Sequence, residues 1–139
     1  ELISQVLEAK PEVISHNLET VRRLTPQIRT RAKYETSLDV IGQISESGLI
    51  SKSGIMLGLG ETEAEILETM DDLLRVKCEI MTIGQYLQPT LDHLPVEEYV
   101  VPEKFAEYKT IALQKGFRHV ESSPLVRSSY HAEQQLRKQ

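Results

Sequence analysis

Five consecutive residues near the C-terminus, Arg127-Ser128-Ser129-Tyr130-His131, bring together a cation, two hydroxyls, a phenol and an imidazole. Ser122-Ser123-Pro124 precedes them and reads as a turn, because proline fixes its own φ and biases Ser123 toward extended geometry. Such a cluster has two chemical readings. One is a loop leading into a solvated helix capped by Ser128 or Ser129, since hydroxyls favour helix starts. The other is a ligand or substrate site.

Further functional groups recur upstream. His16-Asn17-Leu18-Glu19-Thr20 offers an imidazole, an amide and a carboxylate, and Gly84-Gln85-Tyr86-Leu87-Gln88 offers two amides and a phenol. Between them lies Gly54-x-x-x-Gly58-x-Gly60-Glu61. This is not the GxGxxG dinucleotide fingerprint, whose glycines open a helix after the strand. Glycine inside a strand weakens it unless something approaches closely. Either packing of the strand against a neighbouring helix or a planar ligand such as adenine accounts for the pattern.

Other candidates read more simply. His16 and His131 lack the His-x-x-x-His or carboxylate spacing of a metal site, and His93 sits in a proline-rich loop as polar surface. Glu61, Glu63, Glu65 and Glu68 suit the start of a solvated helix. No Gly-x-Ser-x-Gly elbow surrounds Ser128 or Ser129, which argues against a serine hydrolase. Cys78 has the setting of a structural thiol. Arg22, Arg23, Arg29, Arg31 and Lys33 form the one basic segment and read as a solvated face.

These residues need elements to position them. The chain has 139 residues, 40% hydrophobic and 27% charged, which fits one soluble domain. A net charge of −5 argues against a general phosphate-backbone binder. No apolar run reaches the roughly 20 residues of a membrane span. A lone cysteine excludes an internal disulfide framework and a cysteine metal cluster, and suits a reducing, cytoplasmic setting. A start at Glu1 rather than Met suggests a piece of something longer.

Leu2, Ile3, Val6 and Leu7 have helical spacing up to Pro11, and Val13-Ile14 reads as a short buried strand. Asn17 is expected to cap a helix running to about Leu24, with Pro26 disturbing its continuation. Leu38, Ile41 and Ile44 mark an amphipathic helix ending at Gly48. Ser53 to Gly60 reads as a strand entering a glycine turn, and Thr62-Glu63-Ala64-Glu65 has capping-box spacing ahead of an apolar stripe from Ile66 to Leu74. Ile80 to Ile83 is a further strand. Pro102 opens a helix carrying Phe105, Tyr108 and Ile111 that closes at Gly116. Phe117 to Val120 reads as a last strand and Ala132 to Leu136 as a terminal helix. Alternation of this kind implies an α/β fold with a parallel sheet, whose ligands bind at the carboxyl ends of the strands. The His16, Gly58–Glu61 and Gln85–Gln88 turns all fall at that edge.

Read together, the His16–Val21, Lys52–Thr62, Gly84–Pro89, His93–Val96 and Arg127–Ala132 segments resemble lipoyl synthase, a family of radical S-adenosylmethionine (SAM) enzymes, in that family's order and over nearly the whole chain. The resemblance implies the second half of a partial (β/α)6 TIM-like barrel with a C-terminal helix, so residues 1–139 would be one fragmentary domain. It implies insertion of two sulfurs into an octanoyl chain on a lysine of a lipoyl carrier domain, as in the glycine cleavage H protein or a 2-oxoacid dehydrogenase E2 subunit. The electron donor would be flavodoxin or ferredoxin, with neither nucleic acid nor membrane as partner. The cofactors would be SAM and two 4Fe–4S clusters, whose cysteine ligands lie upstream of this chain, so the chain alone should be inactive.

Carried over by motif, Asn17, Glu19, Gly54, Ile55, Gly58, Glu61, Gln85 and Leu87 would contact SAM. Ser129, or else Ser128, would be the fourth ligand of the auxiliary cluster, and Arg127 a catalytic residue beside it. An alkoxide matches cluster iron less well than thiolate, which suits a cluster that must surrender sulfur. Two other readings remain: a non-catalytic nucleoside-binding α/β module, and another radical-SAM sulfur-inserting enzyme, against which the Arg-Ser-Ser-Tyr-His-Ala tail argues.

Overall fold

The computed structural model describes residues 12–29 and 33–126. The helix expected before Pro11, the terminal helix from Ala132, and Arg127, Ser128, Ser129 and His131 lie outside the described residues. Four strands, β1 (Val13–Ser15), β2 (Ile50–Leu57), β3 (Ile80–Gln85) and β4 (His119–Ser122), form one parallel sheet in chain order. Between them run a short helix α1 (Thr25–Ile28), α2 (Tyr34–Glu46), α3 (Glu63–Arg75) and α4 (Pro102–Lys115). The α/β class and parallel sheet are those read from the sequence.

Side chains alternate across a strand, and this alternation sorts the sheet into two faces. Ile55, Leu57, Met81, Ile83 and Val120 pack with Leu38 and Ile41 of α2, Ile66, Met70 and Leu73 of α3, and Phe105, Tyr108 and Ala112 of α4 in one buried core. Lys52, Gly54, Met56, Thr82, Gly84 and Glu121 alternate with them, so they belong to the opposite face. Two helices carry boundary signals in their own sequence. Thr62 and Glu65 exchange both bonds of the capping box at the start of α3, Pro102 sits in the first turn of α4, and Gly116 ends α4 at φ +129°.

Three boundaries differ from expectation. β2 begins at Ile50 rather than Ser53, because Ser51 and Ser53 are satisfied inside the fold, Ser51 by the Ser45 hydroxyl at 2.7 Å and Ser53 by the Leu18 amide at 3.1 Å. β4 lies two residues later than expected, since Phe117 ends the α4 turn by bonding Ala112 O.

The largest departure follows β1. No helix starts at Asn17; the chain stays extended, with Glu19 N donating to Gly54 O at 3.0 Å and Met56 N to Glu19 O at 2.9 Å. Helix begins only with a 3-10 turn at Arg22–Leu24, and Pro26 sits in the first turn of α1 rather than breaking a helix. Asn17 therefore caps nothing: pairing with β2 outweighs its local capping preference.

Candidate functional site

Ser15 pairs with Lys52, and Glu19 bridges to Ile55. The β1 side thus spends one more residue than β2 over the same interval, which is a β-bulge, a feature enriched beside active sites. Glu19 absorbs it at φ +74°, in the left-handed region that non-glycine residues rarely occupy. The amide that would lose its ladder partner, Leu18 N, donates to Ser53 Oγ instead. A serine within a core-facing strand position is thereby explained.

The bulge presents two half-buried polar side chains. Asn17 turns to the face away from the helices: its Oδ1 lies 3.4 Å from where a Cβ on Gly54 would stand. Among the described residues the Asn17 amide nitrogen and the Glu19 carboxylate have no hydrogen-bond partner. A network behind them holds the backbone. Arg29 Nη1 donates to Asn17 O at 3.2 Å and to Ser37 Oγ at 2.8 Å, and His16 Nε2 stands 3.1 Å from the same hydroxyl. Burial, helped by the Arg29 charge, holds the His16 pKa below its ordinary value. Arginine only donates, so the Ser37 proton is available to a neutral His16 nitrogen.

The second strand end is a turn built by its own residues. Glu61 accepts from Gly58 N at 2.9 Å and Leu59 N at 3.0 Å, so its carboxylate closes the turn. Gly58 is at φ +98°, and a Cβ there would sit 2.3 Å from Gln85 Nε2 and 2.4 Å from Glu98 O. Gln85 itself is fully used. Its Nε2 donates to Tyr86 O and Glu98 O, and its Oε1 accepts from Val100 N, tying down the proline-rich loop. Leu87 at the edge of that loop is 54% exposed, whereas Ile55 is buried in the core.

Gly54 has a third explanation besides a helix or a ligand. A Cβ there would come within 2.1 Å of Thr82 Oγ1, the cross-strand neighbour in register. At Gly84 the close neighbour is the segment leaving β4: Val126 O and Cβ would lie 3.4 and 3.5 Å from an added Cβ. Ser123 N donates to Ile83 O and Gln85 N to Pro124 O, so this segment continues along β3. Its last described residue, Val126, lies over Gly84 on the face away from the helices. Lys52, on the same face, is 3% exposed, and burial holds its pKa below the usual lysine value against the opposing pull of Glu121.

The structure thus brings Asn17, Glu19, Gly54, Gly58, Glu61 and Gln85 to one sheet edge, but in different capacities. Asn17 and Glu19 offer unspent polar groups; Glu61 and Gln85 build the scaffold. Ser53, Ser37, Thr82 and Arg29 were missed by sequence reading. Their roles depend on strand register and helix placement, for which the sequence holds no local signal. In the basic segment Arg22, Arg23 and Lys33 are exposed, as a solvated face requires, while Arg29 is half-buried and Arg31 lies outside the described residues. Arg22 contacts Glu35 and Asp72 and stacks 4.4 Å from the Tyr34 ring centre, and Arg23 forks onto Glu65.

Among the described residues no group of three or more His, Cys, Asp or Glu could hold a metal ion. The Cys78 thiol is buried, contacts Ser51 O and Ile80 O, and is pushed by burial up to about 11, which makes it a structural group rather than a ligand. Also among the described residues, no helix is long and apolar enough to cross a membrane.

Comparison with known proteins fits this geometry. A profile described as the Radical SAM superfamily matches residues 1–73. Curated relatives called lipoyl synthase include one from Treponema denticola, 67% identical over 136 residues, covering 98% of this chain and 47% of that protein. One from Bacteroides fragilis is 64% identical over 99% of this chain and 48% of its own length. One from Parabacteroides distasonis is 57% identical over 98% and 48%. The chain spans about half the length of the curated relatives it matches. With the profile match extending across more than half of the chain, and a parallel α/β sheet of the kind that forms part of a radical-SAM barrel, the chain belongs to the radical SAM superfamily.

Proposed function

We propose that the full-length protein is a lipoyl synthase and that this chain is the second half of its barrel. The sulfur-insertion activity rests on the likeness to lipoyl synthases over nearly the whole chain. The SAM-binding part rests on one observation, the unpartnered Asn17 amide nitrogen and Glu19 carboxylate at the β1 bulge. A half-buried donor and acceptor without hydrogen-bond partners among the described residues suit a ligand carrying hydroxyls and charged ammonium or carboxylate groups.

When bound, SAM would supply a carbon radical able to take hydrogen from an unactivated carbon. What the residues do is hold and exclude. Asn17 and Glu19 bind polar portions of the ligand. Arg29 and Ser37 fix the backbone that carries them, and His16 stays neutral behind it. Glu61 and Gln85 keep the neighbouring turn and loop from collapsing into the site. Leu87 belongs to this pocket as apolar lining, and Ile55, whose side chain packs in the core, takes part through the backbone paired with Glu19. On this reading Ser129, with Ser128 as the alternative, serves as an iron ligand and Arg127 balances negative charge.

Two 4Fe–4S clusters, octanoylated carrier domains such as the H protein or an E2 subunit, a flavodoxin or ferredoxin reductant and a cytoplasmic location belong to this reading. With a single cysteine in its sequence, the isolated chain would make no radical. In the full-length protein, Ser129→Ala should leave SAM cleavage largely intact while impairing sulfur insertion. An unchanged lipoyl product and an unchanged cluster spectrum would remove Ser129 from the mechanism. The coding region upstream of Glu1 should supply both cysteine clusters; their absence would overturn the enzyme reading.

A further inference from the structure

Two loops at the carboxyl edge of the sheet flank the site assigned above to SAM, and they follow different strands. The first is the bulge of Asn17 and Glu19; the second is the Gly58–Glu61 turn. One side chain bonds across them. Arg23 lies four residues beyond Glu19, in the 3-10 turn anchored by buried Val21 and Leu24. Its Nε donates to Glu65 Oε2 at 2.8 Å and its Nη2 to Glu65 Oε1 at 3.0 Å, a two-pronged match of guanidinium and carboxylate. The same Nη2 donates to Gly60 O at 2.9 Å, within the glycine turn.

Both ends of this contact are held. Glu65 Oε1 also accepts from Thr62 N at 2.9 Å as part of the capping box, so the carboxylate is oriented before Arg23 meets it. Gly60 is at φ +105°, which only glycine adopts freely and which sets its carbonyl direction. The Arg23 fork and the Thr62 amide hold Glu65 far below the usual carboxylate range, at about 2. Half-exposed ion pairs add little to stability as a rule. A fork with a third bond to a loop carbonyl gives geometry instead.

We infer that Arg23 is a positioning residue that sets the distance between the Asn17–Glu19 bulge and the Gly58–Glu61 turn, and thereby the fit of the ligand held between them. This rests on the SAM-binding reading of that site. Arg23 touches no ligand in this role; it acts through Gly60 and Glu65.

The test uses the full-length, cluster-loaded protein and three variants, Arg23→Gln, Arg23→Lys and Glu65→Gln. SAM dissociation constants are read by equilibrium dialysis, together with melting temperatures. Arg23→Gln should weaken SAM binding roughly tenfold to a hundredfold, with little change in melting temperature. Arg23→Lys keeps the charge but not the fork, so it should restore only part of the loss. Glu65→Gln preserves the capping box, since Gln serves there as well as Glu, and should reproduce the Arg23→Gln defect even if that variant folds poorly. SAM affinity within about twofold of wild type in Glu65→Gln, the scale of an isolated exposed pair, would overturn the positioning role. Wild-type protein that binds no SAM would instead overturn the assignment of the site itself, and the two failures are told apart by that control.

Discussion

Replacing Gly54 with alanine would put a Cβ 2.1 Å from Thr82 Oγ1 and 3.2 Å from Thr82 O, well inside the 3.0 Å that real Cβ contacts respect for the first and tight for the second. Gly54 and Thr82 are both buried and paired across β2 and β3, so neither strand can slide away. Overpacking of this kind costs about 1–3 kcal/mol, and a melting temperature falls by about 2–4 °C per kcal/mol in a domain of 150–250 residues. Thr82→Ala vacates the space. The Gly54→Ala/Thr82→Ala double variant should therefore be more stable than the two single losses predict, with a coupling of about 0.5–3 kcal/mol. Thr82→Val, which keeps a branched side chain there, should give no such rescue. Thermal melts of the full-length protein measure the cycle, and SAM binding is followed in parallel. Additive stabilities, or an unaltered melting temperature with SAM binding lost in Gly54→Ala, would refute the packing explanation and give the glycine to the ligand instead.

Other consequences are as direct. The lowered His16 pKa means that, between its folded value and the ordinary 6.5, the unfolded chain holds a proton the folded chain lacks. Stability should accordingly rise with pH across that window and be lost on acidification below about 6.5, and melts of His16→Gln should show a flatter pH dependence. Tyr34 Oη donates to the buried Asp72 carboxylate at 2.8 Å, so Tyr34→Phe should cost about 1.5–3 kcal/mol by chemical denaturation, the range for bonds to charged groups. Thr62→Ala removes the side-chain half of the capping box and should cost about 0.5–2 kcal/mol. Anaerobic iron–sulfide treatment of this chain alone should leave no stable cluster absorbance, because its sequence holds a single cysteine.

The elements that announce themselves locally were legible from the sequence. Thr62 and Glu65 sit at capping-box spacing, Pro102 and Gly116 bracket α4, and the Ile66–Leu74 stripe has a helical period; each signal lies within its own element. The bulge after β1 had no such signal. Asn17 there looks like any N-cap, and only the competing ladder to Gly54 and Met56, some 35 residues away by sequence position, makes the segment extended. Glycines were read correctly as places of close approach, but what approaches Gly54 is Thr82, identifiable only once β2 and β3 are in register. Arg23 is exposed as a solvated charge run predicts, but its partner Glu65, like Ser37 for half-buried Arg29, comes from a helix whose placement charge spacing does not encode. Of the site, the strand-end location was legible. The division between groups that build the edge and groups left for a ligand was not.

The central claim is that this chain completes a lipoyl synthase. The most direct measurement is mass spectrometry of an octanoylated carrier domain after anaerobic incubation with the full-length, cluster-loaded protein, SAM and reductant, with 5′-deoxyadenosine quantified in the same mixture. The account predicts 5′-deoxyadenosine together with a carrier bearing two inserted sulfurs. Cleavage of SAM with the octanoyl chain left free of sulfur, or no cleavage at all, would contradict it.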